Sequence, residues 1–207
     1  RTPMHGILSF AQLGLSKAES ATIPKLLSYF NHINESGKRL LMLLNNILEL
    51  AHLESSVIDY NFKTHNIKRE LENAIIEFQV LLDSNNITVA INSNLDDEHA
   101  SFDQIRIGQV MRNILLNDIK FSSPESSLVI ELSNETITID YVKIDAIKCS
   151  FIDQGLGIPE NELKNIFDKF IQSSKTNNGS GGTGLGLAIC KKIIEAHQGT
   201  LWAENRT

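Results

Sequence analysis

The sequence contains no apolar run of the roughly 20 residues that a membrane-spanning helix requires. It also does not open with the basic segment and short apolar stretch of a secretory signal peptide. We therefore expect this 207-residue piece to be soluble and cytoplasmic, and we leave open whether its parent protein is anchored in a membrane.

Cysteine and positive charge are also scarce. Only Cys149 and Cys190 occur, both within apolar runs, which favours buried structural thiols over a disulfide framework. The 19 Lys and Arg residues are outnumbered by 25 Asp and Glu residues, giving a net charge of -6. This balance argues against a nucleic acid as partner, because binding to its backbone requires a basic surface.

A long helical pattern is present near the N-terminus. Its apolar residues step by threes and fours, a spacing typical of helices in coiled-coil-like bundles. They are Leu26, Phe30, Ile33, Leu40, Leu44, Ile47 and Ala51, with a second row at Leu27, Leu41 and Leu48. A shorter stripe before them comprises Leu8, Ala11, Leu15 and Ala18. Two helices cannot enclose so wide an apolar face, so we expect a homodimer whose two hairpins form a four-helix bundle.

The pattern changes after residue 56, where we place the boundary between a domain of residues 1–56 and a domain of residues 57–207. Helices are predicted around residues 71–82, 106–121, 160–170 and 185–197, and strands around 87–91, 137–141 and 144–151. Helices and strands are mixed without strict alternation, which indicates the α+β class.

A glycine-rich loop precedes the last predicted helix. Five of the 12 glycines fall within residues 179–186. Glycines let backbone amides approach an anion, and a helix N-terminus adds its dipole, so this loop suits a polyphosphate. Taken alone, the loop favours phosphate binding only modestly, because glycine-rich loops are also ordinary flexible linkers.

Two further motifs carry polar groups. Asp153, Gly155 and Gly157 follow a predicted strand, where the carboxylate can accept an adenine amino proton. A turn with a helix cap is the alternative. Asn113, Asn117 and Lys120 are spaced i, i+4 and i+7, on one helix face that suits a magnesium polyphosphate or is simply solvated.

Together and in this order, these three motifs resemble the histidine kinase catalytic domain, a member of the ATPase superfamily that includes gyrase, Hsp90 and MutL. The resemblance implies an α/β sandwich with helices on one face of a mixed sheet, binding ATP and Mg2+. It implies that Asn117 ligates Mg2+ and that Asn113 and Lys120 act catalytically at the phosphates. The implied nucleotide-binding residues are Asn113, Asn117, Lys120, Phe121, Asp153, Gly155, Gly157, Ile158, Phe170, Gly182, Thr183, Gly184, Leu185 and Gly186.

The region before the glycine loop also resembles this family. Phe167 to Phe170 look like its phenylalanine box, although core phenylalanines are an equal alternative, and residues 171–180 resemble its mobile lid. Two residues depart from the pattern. Asp118 stands in place of a small residue, and Gln172 stands where many relatives carry arginine.

The N-terminal hairpin favours a histidine kinase over the other members of this superfamily. Arg1, Thr2 and Pro3 resemble the end of the phosphoacceptor box, whose histidine lies five residues before the proline and hence before residue 1. The resemblance implies that Thr2 orients a water for a phosphatase reaction; a helix cap is the equal alternative. We interpret His5 and the other histidines as surface residues, with His197 capping its helix as a cation.

The resemblance implies an ATP-dependent histidine autokinase of a two-component system that passes phosphate to an aspartate of a response regulator. We expect this fragment to bind ATP without phosphorylating itself. Two alternatives are a degenerate ATP-binding dimerisation module and a non-kinase ATPase of the same superfamily.

Overall fold

The computed structural model describes residues 2–55, 58–139, 141–175 and 182–206. The chain forms two compact units, Arg1–Ala51 and His52–Thr207, each of which is described by itself. No helix within the described ranges is both long and apolar enough to cross a membrane.

The first unit is a helical hairpin. Helix α1 comprises Thr2–Ser16, and helix α2, Ile23–Glu54, begins in this unit. The chain turns between them where Ser20 and Ala21 both donate backbone hydrogen bonds to the Lys17 carbonyl. The helices pack closely, since a Cβ atom on Gly6 would lie 2.7 Å from the Ser36 hydroxyl. The predicted hairpin is therefore confirmed, and α2 runs through Gly37 without a break.

Much of the predicted apolar seam of α2 is exposed in the single chain. Tyr29 and Leu50 are buried, and Leu26 and Ile33 are half-buried. The outer face carries large exposed apolar side chains: Ile23, Leu27, Phe30, Leu40, Leu41, Met42, Leu44, Ile47 and Leu48. The hairpin thus buries only one side of its apolar surface within one chain.

The second unit contains helices and two sheets. Its elements are β1 (Phe62–Asn66), α3 (Ile67–Glu77), α4 (Gln79–Ser84), β2 (Thr88–Asn94), β3 (His99–Asp103), α5 (Gln104–Phe121), β4 (Ser127–Ile139), β5 (Val142–Ile152) and α6 (Gly186–Ala196). Strand β1 pairs antiparallel with β3. The larger sheet has the order β2-β4-β5, in which β2 and β4 are parallel and β4 and β5 are antiparallel. The sheet is therefore mixed, as predicted.

Alternation along β4 places the core on one face of this sheet. Leu128, Ile130 and Leu132 are fully buried, whereas the intervening residues are more exposed. Successive strand residues point to opposite faces, so this pattern is that of a half-covered sheet. Helix α5 lies between α3 and α6, and it contributes the fully buried Leu115. The fold class predicted from the sequence is confirmed.

Three element predictions were wrong. Residues 160–170 form successive turns, with most backbone bonds joining residues three apart, as from Glu162 to Pro159. The helix predicted over 71–82 is divided at Phe78, whose φ of -102° and ψ of 7° end α3. Tyr141 is a fully exposed turn residue with φ of 67°, because β4 and β5 reverse direction there.

Candidate functional site

Helix α5 is held at its N-terminus by Asp103. The Asp103 carboxylate accepts hydrogen bonds from the backbone N–H groups of Arg106, at 3.1 Å, and Asn61, at 2.9 Å. A side chain in this position satisfies amides that have no partner within the helix. Burial raises the pKa of Asp103, but the backbone donors of Asn61, Arg106 and Ile105 outweigh it, and the net pKa is below the ordinary value.

The middle of α5 carries the predicted polar face, and the glycine-rich segment reaches it. A Cβ atom on Gly186, the first residue of α6, would lie 4.0 Å from the side-chain amide carbon of Asn113. Asn117 is one turn further along the same face of α5, and both asparagines are half-buried. The structure therefore brings two of the three predicted motifs together.

The third predicted member of this face, Lys120, lies near the end of α5. Its ammonium group lies 5.0 Å from the centre of the Phe121 ring. Burial lowers the pKa of Lys120 from its ordinary value. The lysine is exposed enough to reach a ligand, and its ammonium group is attracted to the face of the ring.

The loop containing Asp153 packs against the end of α5. Asp153 follows β5 directly and is exposed, and its carboxylate accepts a 2.6 Å hydrogen bond from the Gly155 N–H. A Cβ atom on Gly155 would lie 2.9 Å from the Phe121 carbonyl oxygen, so only glycine permits this approach. The Asp153 loop and the glycine-rich segment thus both lie beside α5.

Asn205 holds the rest of this loop, and sequence reasoning missed it. Its side-chain oxygen accepts a 2.9 Å hydrogen bond from the Ile158 N–H, and its amide donates to the Ile158 carbonyl at 2.6 Å and to Glu160 at 3.0 Å. Gly157 has φ of 63° in the same turn. No local pattern marks Asn205, because its partners are more than 40 residues away in the sequence.

Asp118 brings a second carboxyl group to the end of α5. Its Oδ2 atom is buried and has no hydrogen-bond partner among the residues that the structure describes. Burial, with a smaller contribution from the negative charge of Asp153, raises the pKa of Asp118 to about 8. The residue that departs from the family pattern is therefore a buried carboxyl group next to the predicted adenine-binding residue.

The N-terminus of α6 has backbone amides available to a ligand. The N-cap residue Leu185 makes no side-chain cap hydrogen bond and is fully buried, which fixes the start of the helix. The Thr183 hydroxyl accepts a 3.2 Å hydrogen bond from the Leu185 N–H, and Gly184 has φ of 68°. Helix N-termini of this kind attract anions through their N–H groups and dipole.

The two phenylalanines that resemble a phenylalanine box differ in exposure. Phe167 is 8% exposed and belongs to the core, whereas Phe170 is 60% exposed and has φ of 64°. Of the other predicted residues, Gly182 is exposed and Ile158 is half-buried. The side chain of Thr2, the last residues of the predicted lid and the first residues of the glycine loop lie outside the described residues. The phosphatase role predicted for Thr2 stays a prediction.

His197 is the C-cap of α6, as predicted, but both of its ring nitrogens are engaged as in a neutral imidazole. Nε2 accepts a 3.0 Å hydrogen bond from the Asp103 N–H, and Nδ1 donates to the Ile193 carbonyl at 2.8 Å. The ring also contacts Tyr60 and Phe62. The interpretation of His197 as a surface cation was wrong, because a protonated ring has no acceptor for the Asp103 N–H.

Comparisons with known proteins identify the family of the chain. The family model of the histidine kinase-, DNA gyrase B- and HSP90-like ATPases matches residues 102–207. The model of the His Kinase A (phospho-acceptor) domain matches residues 1–56. The first of these matches covers half of the chain and includes every part of the candidate site except the N-terminal hairpin.

Curated relatives include the sensor histidine kinase WalK of Bacillus subtilis, 30% identical over 81% of this chain. The circadian input-output histidine kinase CikA of Synechococcus elongatus is 28% identical over 99% of this chain. The chain spans 26% of the length of each of these relatives.

Solved structures also resemble the chain. The catalytic domain of histidine kinase ThkA has a TM-score of 0.60 at 28% identity and covers 71% of this chain and 89% of its own. ThkA in complex with the response regulator protein TrrA has a TM-score of 0.75 at 24% identity, over 99% of this chain and 54% of that one, which shows a shared fold. From the two family matches, the relatives and the site, the chain belongs to the sensor histidine kinases and contains their phosphoacceptor and ATP-binding domains.

Proposed function

We propose that the chain binds ATP with Mg2+, directs its γ-phosphoryl group to a histidine and passes that group on to an aspartate of a response regulator. The close approach of the Gly186 backbone to the Asn113 side chain carries this proposal. It joins the uncapped N-terminus of α6, which suits phosphate oxygens, to the polar face of α5.

The adenine base would be bound by the loop that contains Asp153. This carboxylate is exposed, and its Oδ1 atom already accepts the Gly155 N–H. Oδ2 can accept a charge-assisted hydrogen bond from the exocyclic amine of adenine. The close approach of Gly155 to α5 keeps this recognition next to the asparagine face.

The residues of α5 fit a magnesium polyphosphate. Asn117 can offer an amide oxygen, the type of ligand that Mg2+ accepts, and Asn113 is one turn away. Lys120 supplies a positive charge at the end of the same face. When bound, Mg2+ would neutralise negative charge on the phosphates during transfer.

Two relatives support the choice of nucleotide and partner. The structure of ShkA was determined in complex with AMPPNP, and that of ThkA with a response regulator. Transfer is tested in a protein that carries this core with a histidine five residues before Pro3. Labelled ATP should give acid-labile phosphate on that histidine, which then moves to an added receiver domain. Steady ATP hydrolysis without labelled protein would instead support a plain ATPase.

A second copy of the chain would cover the hairpin. The exposed apolar side chains of α2 lie on the side that α1 leaves open, and a twofold partner buries the same surface on both copies. Sedimentation should therefore give a dimer mass. A monomer at micromolar concentration would argue against this assembly.

The adenine assignment is tested with Asp153→Asn. Loss of a charge-assisted hydrogen bond costs about 1.5–3 kcal/mol, so ADP affinity should fall about tenfold or more. The matched control is Asp145→Asn, an exposed aspartate of β5 outside the site. Calorimetry at fixed Mg2+ concentration measures both. Equal affinity of the two variants would remove Asp153 from its proposed role.

A further inference from the structure

The segments on either side of residues 173–181 are joined by two hydrogen bonds in register. The Phe170 N–H donates to the Gly184 carbonyl at 2.8 Å. Two residues further along each segment, the side-chain amide of Gln172 donates to the Gly182 carbonyl. We call residues 170–172 and 182–184 the neck. Its two bonds follow the spacing of an antiparallel ladder, with the Gln172 side chain replacing a backbone donor.

The neck is tightly packed at its base. A Cβ atom on Gly184 would lie 2.8 Å from the Phe170 carbonyl carbon and 2.9 Å from the Ile171 carbonyl oxygen. Gly184 and Phe170 both have positive φ, of 68° and 64°, and a positive φ is unfavourable for phenylalanine. Such a backbone persists only when surrounding contacts fix it, so the neck holds a specific geometry.

The neck connects the two halves of the candidate site. On one side, the Lys175 ammonium donates to the Leu156 carbonyl at 2.7 Å, within the loop that contains Asp153. Glu162 accepts the Ser174 N–H, with its two oxygens at 3.1 and 3.3 Å. On the other side, α6 begins at Gly186, two residues after the neck. The path of residues 182–184 therefore determines where the amides of residues 184–186 point.

We propose that Gln172 is a positioning residue for the polyphosphate of the bound nucleotide. By holding the Gly182 carbonyl, its side chain keeps the backbone before α6 in the orientation that presents amides to phosphate oxygens. This rests on the proposed function, since it assigns a residue to the phosphate half of the same site. It also gives a role to a residue that departs from the family pattern: glutamine is long enough to reach the opposite segment and donates without carrying charge.

The role predicts a selective defect. Gln172→Ala removes one neutral hydrogen bond, so affinity for ATP and ADP should fall about two- to tenfold, with faster dissociation. Affinity for adenosine should stay within about twofold, because Asp153 is held through the Gly155 N–H, whereas Gln172 holds the Gly182 carbonyl on the phosphate side. The control Gln79→Ala also removes one glutamine hydrogen bond, to Asp83 on α4, and should leave all three ligands unaffected.

Two further variants sharpen the test. Gln172→Glu has nearly the same shape but no donor, and it should weaken ATP at least as much as alanine does. Gln172→Arg keeps N–H donors and should retain ATP affinity. Competition against a fluorescent ADP gives affinities and dissociation rates for all of them.

Three results would overturn the role of Gln172. They are wild-type ATP affinity in both the alanine and glutamate variants, an equal loss for adenosine and ATP, and an arginine variant as weak as alanine. If the wild-type chain binds no adenine nucleotide, the proposed function fails and this inference fails with it. If ATP binds but the Gln172 variants do not weaken ATP selectively relative to adenosine, only the role of Gln172 fails.

Discussion

The two ends of α5 each carry an aspartate, and the pKa values of these two carboxyl groups are shifted in opposite directions. At the N-terminus, backbone N–H groups surround Asp103 and its pKa is lowered, despite burial. Near the C-terminus, Asp118 has a buried oxygen that finds no partner in the described part of the chain, and its pKa is raised to about 8 by burial and by Asp153.

The difference separates a carboxyl group that caps the helix from one that lies beside the proposed nucleotide site. Asp103 satisfies donors that the fold would otherwise bury, so its charge stabilises the native state. Among the described residues, Asp118 has no such donor, and it lies near Asp153, the carboxylate that we propose binds adenine. Buried polar groups without partners are uncommon in the cores of proteins and concentrate at functional sites.

The largest expected effect is the contribution of Asp118 to the pH dependence of the free energy of unfolding. Between pH 4 and 8 the unfolded chain has lost this proton and the folded protein keeps it, so unfolding releases a proton. The free energy of unfolding should therefore decrease as pH rises, by at most about 1.4 kcal/mol per pH unit from this group. Asp118→Asn should remove this component, so the variant gains stability over wild type from pH 5 to pH 8.

Urea denaturation at several pH values measures the effect, and Asp145→Asn is the control for an exposed aspartate. Wild-type and Asp118→Asn curves that run parallel from pH 5 to pH 8 would show that Asp118 is ionised in the folded protein.

The next effect is at Asp103. Replacing it with alanine removes the cap of α5 and the acceptor for the Asn61 N–H, which should cost about 1–3 kcal/mol at pH 7. Because the folded pKa is lowered, this stabilisation is present at neutral pH and is lost as the pH falls through that folded value. The pH trend is thus opposite to that of Asp118.

Denaturation at pH 7 and in acid checks both the size and the trend. Asp103→Asn keeps one acceptor oxygen and should lose less than alanine. A loss below about 0.5 kcal/mol for alanine would show that water replaces the cap at no cost.

The smallest effect is expected at His197, which accepts the backbone N–H of Asp103. His197→Phe keeps an aromatic ring next to Tyr60 and Phe62 but has no ring nitrogens, and we expect a loss of about 1 kcal/mol. Hydrogen exchange of the Asp103 amide should accelerate in the variant. Unchanged exchange would mean that another group accepts this bond.

Local patterns were enough to predict the elements that carry the site. Helical spacing gave the common face of Asn113 and Asn117, and an apolar strand followed by Asp153 placed that carboxylate at the end of β5. The two helices that flank the site, α5 and α6, also match their predicted positions within two residues. These features depend on residues close together in the sequence.

Features that depend on distant residues could not be predicted. The bonds of Asn205 to Ile158 and the neck contact of Gln172 join segments that approach only in the folded chain. Strands β1 and β3 have few alternating apolar residues, so the sequence does not mark them as strands. They form by pairing with each other. Residues 160–170 contain helix-forming amino acids, but tertiary contacts favour turns.

The parallel pairing of β2 with β4 has a kinetic consequence. Thr88 pairs with Ser127, so β3 and α5 lie inside the connection between two neighbouring parallel strands. Such pairing requires closure of a long loop before any of its hydrogen bonds form, and it is a slow step in folding. The other parts of the candidate site, the loop after β5 and the N-terminus of α6, come after β4 in the chain. A nascent chain that ends before β4 contains all three predicted phosphate-binding side chains of α5 and lacks the site.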